Sequence, residues 1–421
     1  MRGAAIGVVA LALAVAPAAG AKRSVTVGFR TAAALRGLHV VRRVDALHVA
    51  EVRGASMRAL RARTGILWAQ RTVSRAHASE PALVPWATGV PEWQFAATRA
   101  DLVPAWVQRA ASNVTIAVVD TGADVTAPDI AAKAPVTYNA VTDGSDVRDV
   151  VGHGTFVASL AAGSVTNSDG IAGFGGDAKL MIVQANRGTN AFDDLDEAAG
   201  IVWAVDHGAQ IVNLSLGGAQ TSRAERDAID YAVSHHVLVV AAAGNDGERG
   251  SPVEYPAALL GPHGLAVAAS TESGTRAAFS SVGSYVSIAA PGVNVMGAVS
   301  STSSVASFPR SDLPGASTGL YGFGSGTSFA APEVAGAAAL VWAANPTLSA
   351  DRVAQTLEQT ATGGGRWRPD LGWGVVDVAA AVARATGAPL PATPSAKPKP
   401  FPAAKPRPKA NRPVLRTRSK K

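Results

Sequence analysis

Four side chains in this 421-residue chain stand where chemistry could be done. Asp120 closes the apolar run TIAVVD and Asn245 closes VVAAAGN. His153 lies in GHGTFVAS at the start of one apolar helical pattern, and Ser328 lies in GTSFAAP at the start of another. A serine hydroxyl becomes a nucleophile only when a base takes its proton, and an imidazole can do so near neutral pH. The imidazole's other nitrogen must be held and its cation stabilised, which a buried carboxylate does. The oxyanion that forms needs fixed donors, here the Asn245 amide and the Ser328 backbone N–H at the positive end of a helix. Taken singly, Asp120 and Asn245 read as turn formers, His153 as a loop or cap residue and Ser328 as an N-cap. Taken together, at the ends of separate elements, they are the set that acyl transfer requires. Pro332 is expected in the first turns of the serine's helix, where a missing N–H costs least.

Something must hold these four together. The segments 113–120, 178–185, 209–217, 236–245, 265–270 and 286–292 are continuous apolar runs ending in polar residues or glycine. Runs without alternation read as strands buried on both faces, as in a parallel sheet. Helical patterns fall at 155–162, 193–207, 223–235, 328–344, 349–360 and 376–385. The alternation predicts an α/β domain built on a doubly wound, mainly parallel sheet. Ligands of such sheets bind outside the carboxyl ends of the strands, which is where the four residues fall.

Composition sets the surroundings. The chain is 48% apolar, 16% charged and free of cysteine, which excludes disulfides, a thiol nucleophile and thiolate metal sites. MRGAAIGVVALALAVAPAAGAKR has the basic start, short apolar run and small-residue cleavage site of a secretory signal peptide over 1–21. The net charge of +7 is unevenly spread: residues 1–79 hold 13 basic and 2 acidic residues, 388–421 hold 10 basic and none acidic, and the middle holds 15 basic against 29 acidic. The high overall charge therefore does not argue for nucleic acid as a partner. Residues 24–73 mix strand patterns with one helical segment, SMRALRARTG, and form a small α+β unit. Residues 74–92 read as a linker, and 300–320 as a Ser-rich surface loop. The last 34 residues contain nine prolines and are expected to be extended and disordered. The expected boundaries are 1–21, 22–79, 80–387 and 388–421.

The blocks IAVVDTGAD, GHGTFVAS, NLSLGG, AAAGNDG and GTSFAAPEVAG resemble, in this order, the signature blocks of the subtilisin-like serine proteases, over roughly residues 90–387. The resemblance implies a secreted serine endopeptidase with Asp120, His153 and Ser328 as its triad and Asn245 as oxyanion donor. It implies that Ser215, Leu216, Gly217 and Gly218 on one side, and Ala242, Ala243 and Gly244 on the other, bind the substrate backbone and the side chain before the scissile bond. It makes residues 22–79 a ferredoxin-like propeptide that assists folding and blocks the cleft until cut near 74–84. It also implies a structural Ca2+ held by Asp129, Asn167, Asp169 and the Ile171 carbonyl, all hard oxygen donors. Phe156, Phe329, Glu333 and Ala127 depart from the usual residues of the family without touching a triad role.

Other readings are weaker. DTGAD also surrounds an aspartic protease carboxylate, but no second such motif supplies the partner acid. GFGGDA at 173–178 mimics a dinucleotide loop yet follows no strand. A catalytically inactive secreted binding protein of the same fold is the alternative from another class. Partners are expected to be protein or peptide substrates and the chain's own propeptide, the enzyme acting as a monomer. The Pro- and Lys-rich tail would tether it to an anionic cell envelope. Asp246, Glu248 and Glu254 lie near the expected pocket, with side-chain directions the sequence does not give.

Overall fold

The computed structural model describes residues 24–76, 92–167, 170–188, 191–303, 310–311 and 320–391. The expected signal peptide, most of the expected maturation region and the basic tail beyond 391 lie outside these residues. The chain divides into two units, Met1–Thr72 and Val73–Lys421.

The first unit is a four-stranded antiparallel sheet in the order β2-β3-β1-β4, with β1 (Val25–Phe29), β2 (His39–Val44), β3 (Val49–Arg53) and β4 (Ile66–Arg71). Between β3 and β4 a single helical turn and a half, α1 (Met57–Arg61), is capped by the Ser56 hydroxyl, which accepts from Ala59 N–H at 3.1 Å. Val25, Val27, Phe29, Leu35, Val52 and Leu60 form its core. The strands read from the sequence are present; β2 is additional. Its residues HVVRRV are mostly solvent-facing, as suits a charged edge strand, so they give little apolar signal.

The second unit opens with β5 (Ser74–Ala76), α2 (Trp93–Ala97) and α3 (Ala105–Ala110). Then come β6 (Thr115–Asp120), α4 (Pro128–Ala131), β7 (Val136–Asn139), α5 (His153–Ala162), β8 (Lys179–Gln184), β9 (Ala191–Asp193) and α6 (Asp194–Asp206). They are followed by β10 (Ile211–Leu214), α7 (Arg223–Ser234), β11 (Leu238–Ala242), β12 (Gly264–Ser270), β13 (Ile288–Pro291) and β14 (Val295–Ala298). β15 (Arg310–Ser311), β16 (Tyr321–Gly324), α8 (Thr327–Ala344), α9 (Ala350–Thr360) and α10 (Val378–Thr386) complete it.

Seven of these strands form one parallel sheet in the order β13-β12-β11-β10-β6-β8-β7. From β6 the chain first winds outward through β7 and β8, then returns to add β10 to β13 on the other flank. The reversal lies between β6 and β10, which is where a doubly wound sheet opens its crevice. All six expected strands are in this sheet, buried along nearly their whole length.

Helix α8 is almost wholly buried, and the sequence explains this. TSFAAPEVAGAAALVWAA is apolar on every side, the pattern of a helix inside a core rather than on it. Fully burying Val334 or Leu340 contributes roughly 1.5–3 kcal/mol each. Gly336 lets the 173–175 backbone close in: a Cβ there would stand 2.5 Å from Phe174 Cβ and 2.6 Å from Gly175 N. Among the described residues no helix is long and apolar enough to cross a membrane.

Two expectations are corrected. Residues 74–76, read as linker, form β5, which pairs antiparallel with β9 through Ser74↔Asp193, Arg75↔Phe192 and Ala76↔Ala191. The segment 300–320 is not simply a surface loop. Ser300 is buried and donates to the Asp149 carbonyl at 2.8 Å, and Arg310–Ser311 pairs with β16. Residues 304–309 and 312–319 lie outside the described ones.

Candidate active site

β6 delivers Asp120 at its carboxyl end, fully buried. One carboxylate oxygen lies 2.7 Å from His153 Nδ1 and also accepts from Thr121 N–H at 2.7 Å. His153 is the first residue of α5, so the first turn of that helix sets the ring against the strand end. Gly154 follows because nothing larger fits. A Cβ there would stand 2.2 Å from the Gly122 carbonyl and 3.1 Å from the Asp120 carboxylate.

Sequence reasoning missed the group that shapes this turn. The buried Asp149 carboxylate accepts from Gly152 N–H (2.7 Å), Val151 N–H (3.1 Å), Thr155 N–H (2.8 Å) and the hydroxyls of Thr155 (2.6 Å) and Thr121 (2.8 Å). Burial pushes its pKa up, and these hydrogen bonds pull the other way. A carboxylate so surrounded satisfies the donors at the start of α5, as an N-cap does. The signal is present in RDVVGHG, where an acid stands four residues before the histidine.

Ser328 is the second residue of α8 and is buried, 1% exposed. Phe329, the next residue, packs its ring 5.6 Å from the His153 imidazole and 4.6 Å from Phe156. That ring contact sets the first turn of α8 against the first turn of α5. The Ser328 N–H belongs to the first-turn donors that a helix cannot satisfy itself.

Asn245 follows Gly244 at the end of β11. Its side-chain oxygen accepts from both the N–H and the hydroxyl of Thr327, each at 2.9 Å. That fixes which way the amide faces. Its NH2 group is buried and has no hydrogen-bond partner among the described residues. A buried donor held in place and left unpaired beside a serine is what an oxyanion site needs.

The segment after β10 takes a different part from the one read in the sequence. The Ser215 hydroxyl points inward and donates to the Ser328 carbonyl at 2.7 Å, while its own oxygen accepts from Asn213 Nδ2 at 2.9 Å. The reason lies in Pro332. It is the sixth residue of α8, beyond the four whose N–H groups are unpaired anyway, so its missing N–H does deprive the Ser328 carbonyl of a partner. Ser215 supplies the replacement. Gly218 exchanges both backbone bonds with Tyr255, at 3.0 and 2.9 Å, so its own N–H and carbonyl are committed. Leu216 and Gly217 lie between, in the segment that follows β10, which pairs with β11 up to Leu214↔Ala241.

The expected calcium ligands come together in part. Asp129 is fully buried; its oxygens accept from Asn167 Nδ2 (3.0 Å) and the Tyr321 hydroxyl (2.8 Å). Ile171 is buried in the same loop, and Asp169 lies outside the described residues. Glu92 adds itself to the expected set. Burial pushes it up to about 7, the Ala172 N–H bond at 3.1 Å opposes that, and the Asp129 charge adds to it. Two mutually repelling carboxyls are the kind of oxygen donor that a hard divalent cation suits, whereas Asn167 turns its amide nitrogen toward Asp129. Among the described residues no cluster of three acidic or imidazole ligands exists, so such an ion would depend on amide and backbone oxygens.

Comparison with known proteins bears on the family and the fold. The family model described as the subtilase family, Peptidase_S8, matches residues 111–374. Subtilisin NAT of Bacillus subtilis subsp. natto is 40% identical over 258 residues, covering 60% of this chain and 61% of the relative. Fervidolysin of Fervidobacterium pennivorans is 35% identical over 294 residues, covering 66% of this chain and 42% of its own. The crystal structure of fervidolysin, a keratinolytic enzyme related to subtilisin, superposes with a TM-score of 0.72 at 27% identity, over 88% of this chain and 61% of that one. The epidermin leader peptide processing serine protease of Staphylococcus aureus shares the fold at a TM-score of 0.69 and 21% identity, over 86% of this chain and 99% of that one. On its sequence blocks, its sheet and these similarities, the chain belongs to the subtilase family of subtilisin-like serine proteases.

Proposed function

We propose that this protein is a secreted serine endopeptidase that cleaves peptide bonds through an acyl-enzyme. The observation that carries the reading is the buried 2.7 Å pair of Asp120 and His153, with the ring of Phe329, the residue after Ser328, packed against the imidazole. In the reaction, His153 Nε2 takes the Ser328 proton as the hydroxyl attacks the substrate carbonyl. Asp120 holds Nδ1 and stabilises the imidazolium. The Asn245 NH2 and the Ser328 N–H receive the oxyanion. Collapse of the tetrahedral intermediate expels the amine, protonated by His153, and leaves the acyl group on Ser328. A water activated by the same imidazole then releases the acid.

The substrate chain would lie along the carboxyl ends of β10 and β11, with Leu216, Gly217 and Gly218 on one side and Ala242, Ala243 and Gly244 on the other. Residues 22–79 would serve as the propeptide, and the basic tail would hold the enzyme at an anionic envelope. Calcium, when bound at Asp129, Asn167, Asp169 and the Ile171 carbonyl, would brace the loop after α5 and take no part in bond breaking.

Replacing Ser328 with alanine tests this reading. Peptide hydrolysis should fall by about 10^4-fold or more, and the chain should accumulate uncut if maturation is self-catalysed. Unchanged hydrolysis would remove Ser328 from the mechanism.

A further inference from the structure

Three acidic residues stand near the expected substrate cleft, and the side chains separate them. Glu248 sits in a short helical turn, Gly247–Arg249, none of whose residues is buried. Asp246 is partly exposed and forms an ion pair with Arg249, itself 65% exposed. Glu254 is different: it is buried, and its side chain runs along the bare backbone of both cleft walls. A Cβ on Gly244 would stand 2.4 Å from Glu254 Cγ and 3.0 Å from its carboxyl carbon. A Cβ on Gly217 would stand 3.7 Å from a Glu254 carboxyl oxygen. Gly244 adopts φ +105°, a conformation a side chain resists, so it stays open for two reasons.

Position joins this carboxyl to the reacting centre. Gly244 precedes Asn245, and its N–H donates to the Thr327 hydroxyl at 3.2 Å, one residue from Ser328. Gly217 lies two residues beyond Ser215, whose hydroxyl holds the Ser328 carbonyl. The backbone just after Glu254 is pinned to the same wall by the Tyr255–Gly218 pairing. Glu254 therefore lies between the two segments that flank the nucleophile.

From this placement we propose that Glu254, with Asp246 behind it, forms an acidic floor to the pocket for the residue before the scissile bond and selects a cationic lysine or arginine there. The inference rests on the endopeptidase reading above and names its substrate class. The surrounding charges support it. Burial, the Asp246 charge and a hydrogen bond with Asp246 together push Glu254 up to about 7, and only Arg249 opposes them. The Tyr285 hydroxyl, which also borders the pair, donates to the Ala243 carbonyl at 2.9 Å and brings no positive charge. Two carboxyls share one exposed guanidinium, which leaves the inner one short of a cation. A substrate ammonium or guanidinium entering between Gly217 and Gly244 would supply it, as charge-assisted pairs require.

The test uses two chromogenic tetrapeptides that differ only before the scissile bond, lysine in one and its uncharged isostere norleucine in the other. Both are assayed at pH 8.5 with the purified full chain. The lysine peptide should have the higher kcat/KM by roughly tenfold or more. Glu254→Gln should bring the ratio close to one, a change that a merely structural role would not produce. Arg249→Ala, at an exposed position, should raise the ratio, so the proposal stays testable should the Glu254 variant not fold. A parent ratio of one or below, unmoved by either substitution, would overturn the inference while leaving the hydrolase intact. No cleavage of either peptide, with no reaction of Ser328 with a fluorophosphonate, would overturn the endopeptidase reading and this inference with it.

Discussion

The Ser215 hydroxyl lies 2.7 Å from the backbone carbonyl of Ser328 and donates to it. That carbonyl is the one Pro332 leaves without its helical partner, so a serine 113 positions upstream completes the helix that carries Ser328. The first turn of α8 is thereby tied to the end of β10, and Thr327 ties it to Asn245 at the end of β11.

Removing this tie should be costly. Ser215→Ala should lower stability by about 1–3 kcal/mol, the range for leaving a buried acceptor unpaired, and lower kcat as Ser328 loosens. Pro332→Ala restores an N–H to the helix, so the loss should shrink in that background. Denaturant unfolding of the two single variants and the double variant measures the coupling. Strict additivity would mean that Ser215 does not act through the carbonyl left open by Pro332.

Glu333 should make stability depend on pH. It is fully buried on α8, both its oxygens lack partners among the described residues, and burial holds its pKa well above the ordinary 4.5. With the folded value raised, the unfolded chain loses its proton first. Between 4.5 and the folded value the unfolded chain holds fewer protons, so this group's contribution falls as pH rises. A tenfold difference in proton affinity between the folded and unfolded chains is worth about 1.4 kcal/mol. Glu333→Gln should match the parent near pH 4 and exceed it by at least that amount at pH 8, read by denaturant unfolding at both pH values. An equal gap at both would show that ionisation plays no part.

Phe329 packs its ring directly against His153. An aromatic ring there offers no thioether to oxidise. Activity should survive brief hydrogen peroxide treatment, and Phe329→Met should lose most of it under the same exposure. Equal survival of both would remove this position as the oxidation-sensitive one.

Calcium should show itself in thermal stability. If Asp129 holds the ion, chelation should lower the melting temperature and Asp129→Asn should abolish the difference. At a calcium concentration 100 times Kd the expected stabilisation is about 2.7 kcal/mol. Identical melting with and without chelator in the parent would exclude a bound ion at this loop.

Much of this architecture was legible in the sequence because parallel strands are buried on both faces and therefore read as unbroken apolar runs. Val136–Asn139 escaped notice because this edge strand is only partly buried and VTYN is too short to carry a clear hydrophobic signal. Val295–Ala298 and Tyr321–Gly324 escaped because their glycines resemble turns. Gly297 and Gly324 are small for a reason only the fold reveals: the rings of Phe156 and Phe329 fill the space their side chains would take. Asp120, His153, Asn245 and Ser328, the residues proposed to react, are legible because they stand at element ends. Asp149, Glu92 and the inward turn of Ser215 did not, since side-chain direction is set by packing between segments far apart in the chain. Glu254 was visible as an acid near the pocket, and only its contact with Gly217 and Gly244 separates it from Asp246 and Glu248.

The central claim is that His153, held by Asp120, activates Ser328. Labelling with a fluorophosphonate and locating the adduct by mass spectrometry tests it most directly. The parent should take up one equivalent, on Ser328, and His153→Ala should react at least a hundredfold more slowly. An adduct on another residue, or a His153→Ala variant that labels as fast as the parent, would contradict the account.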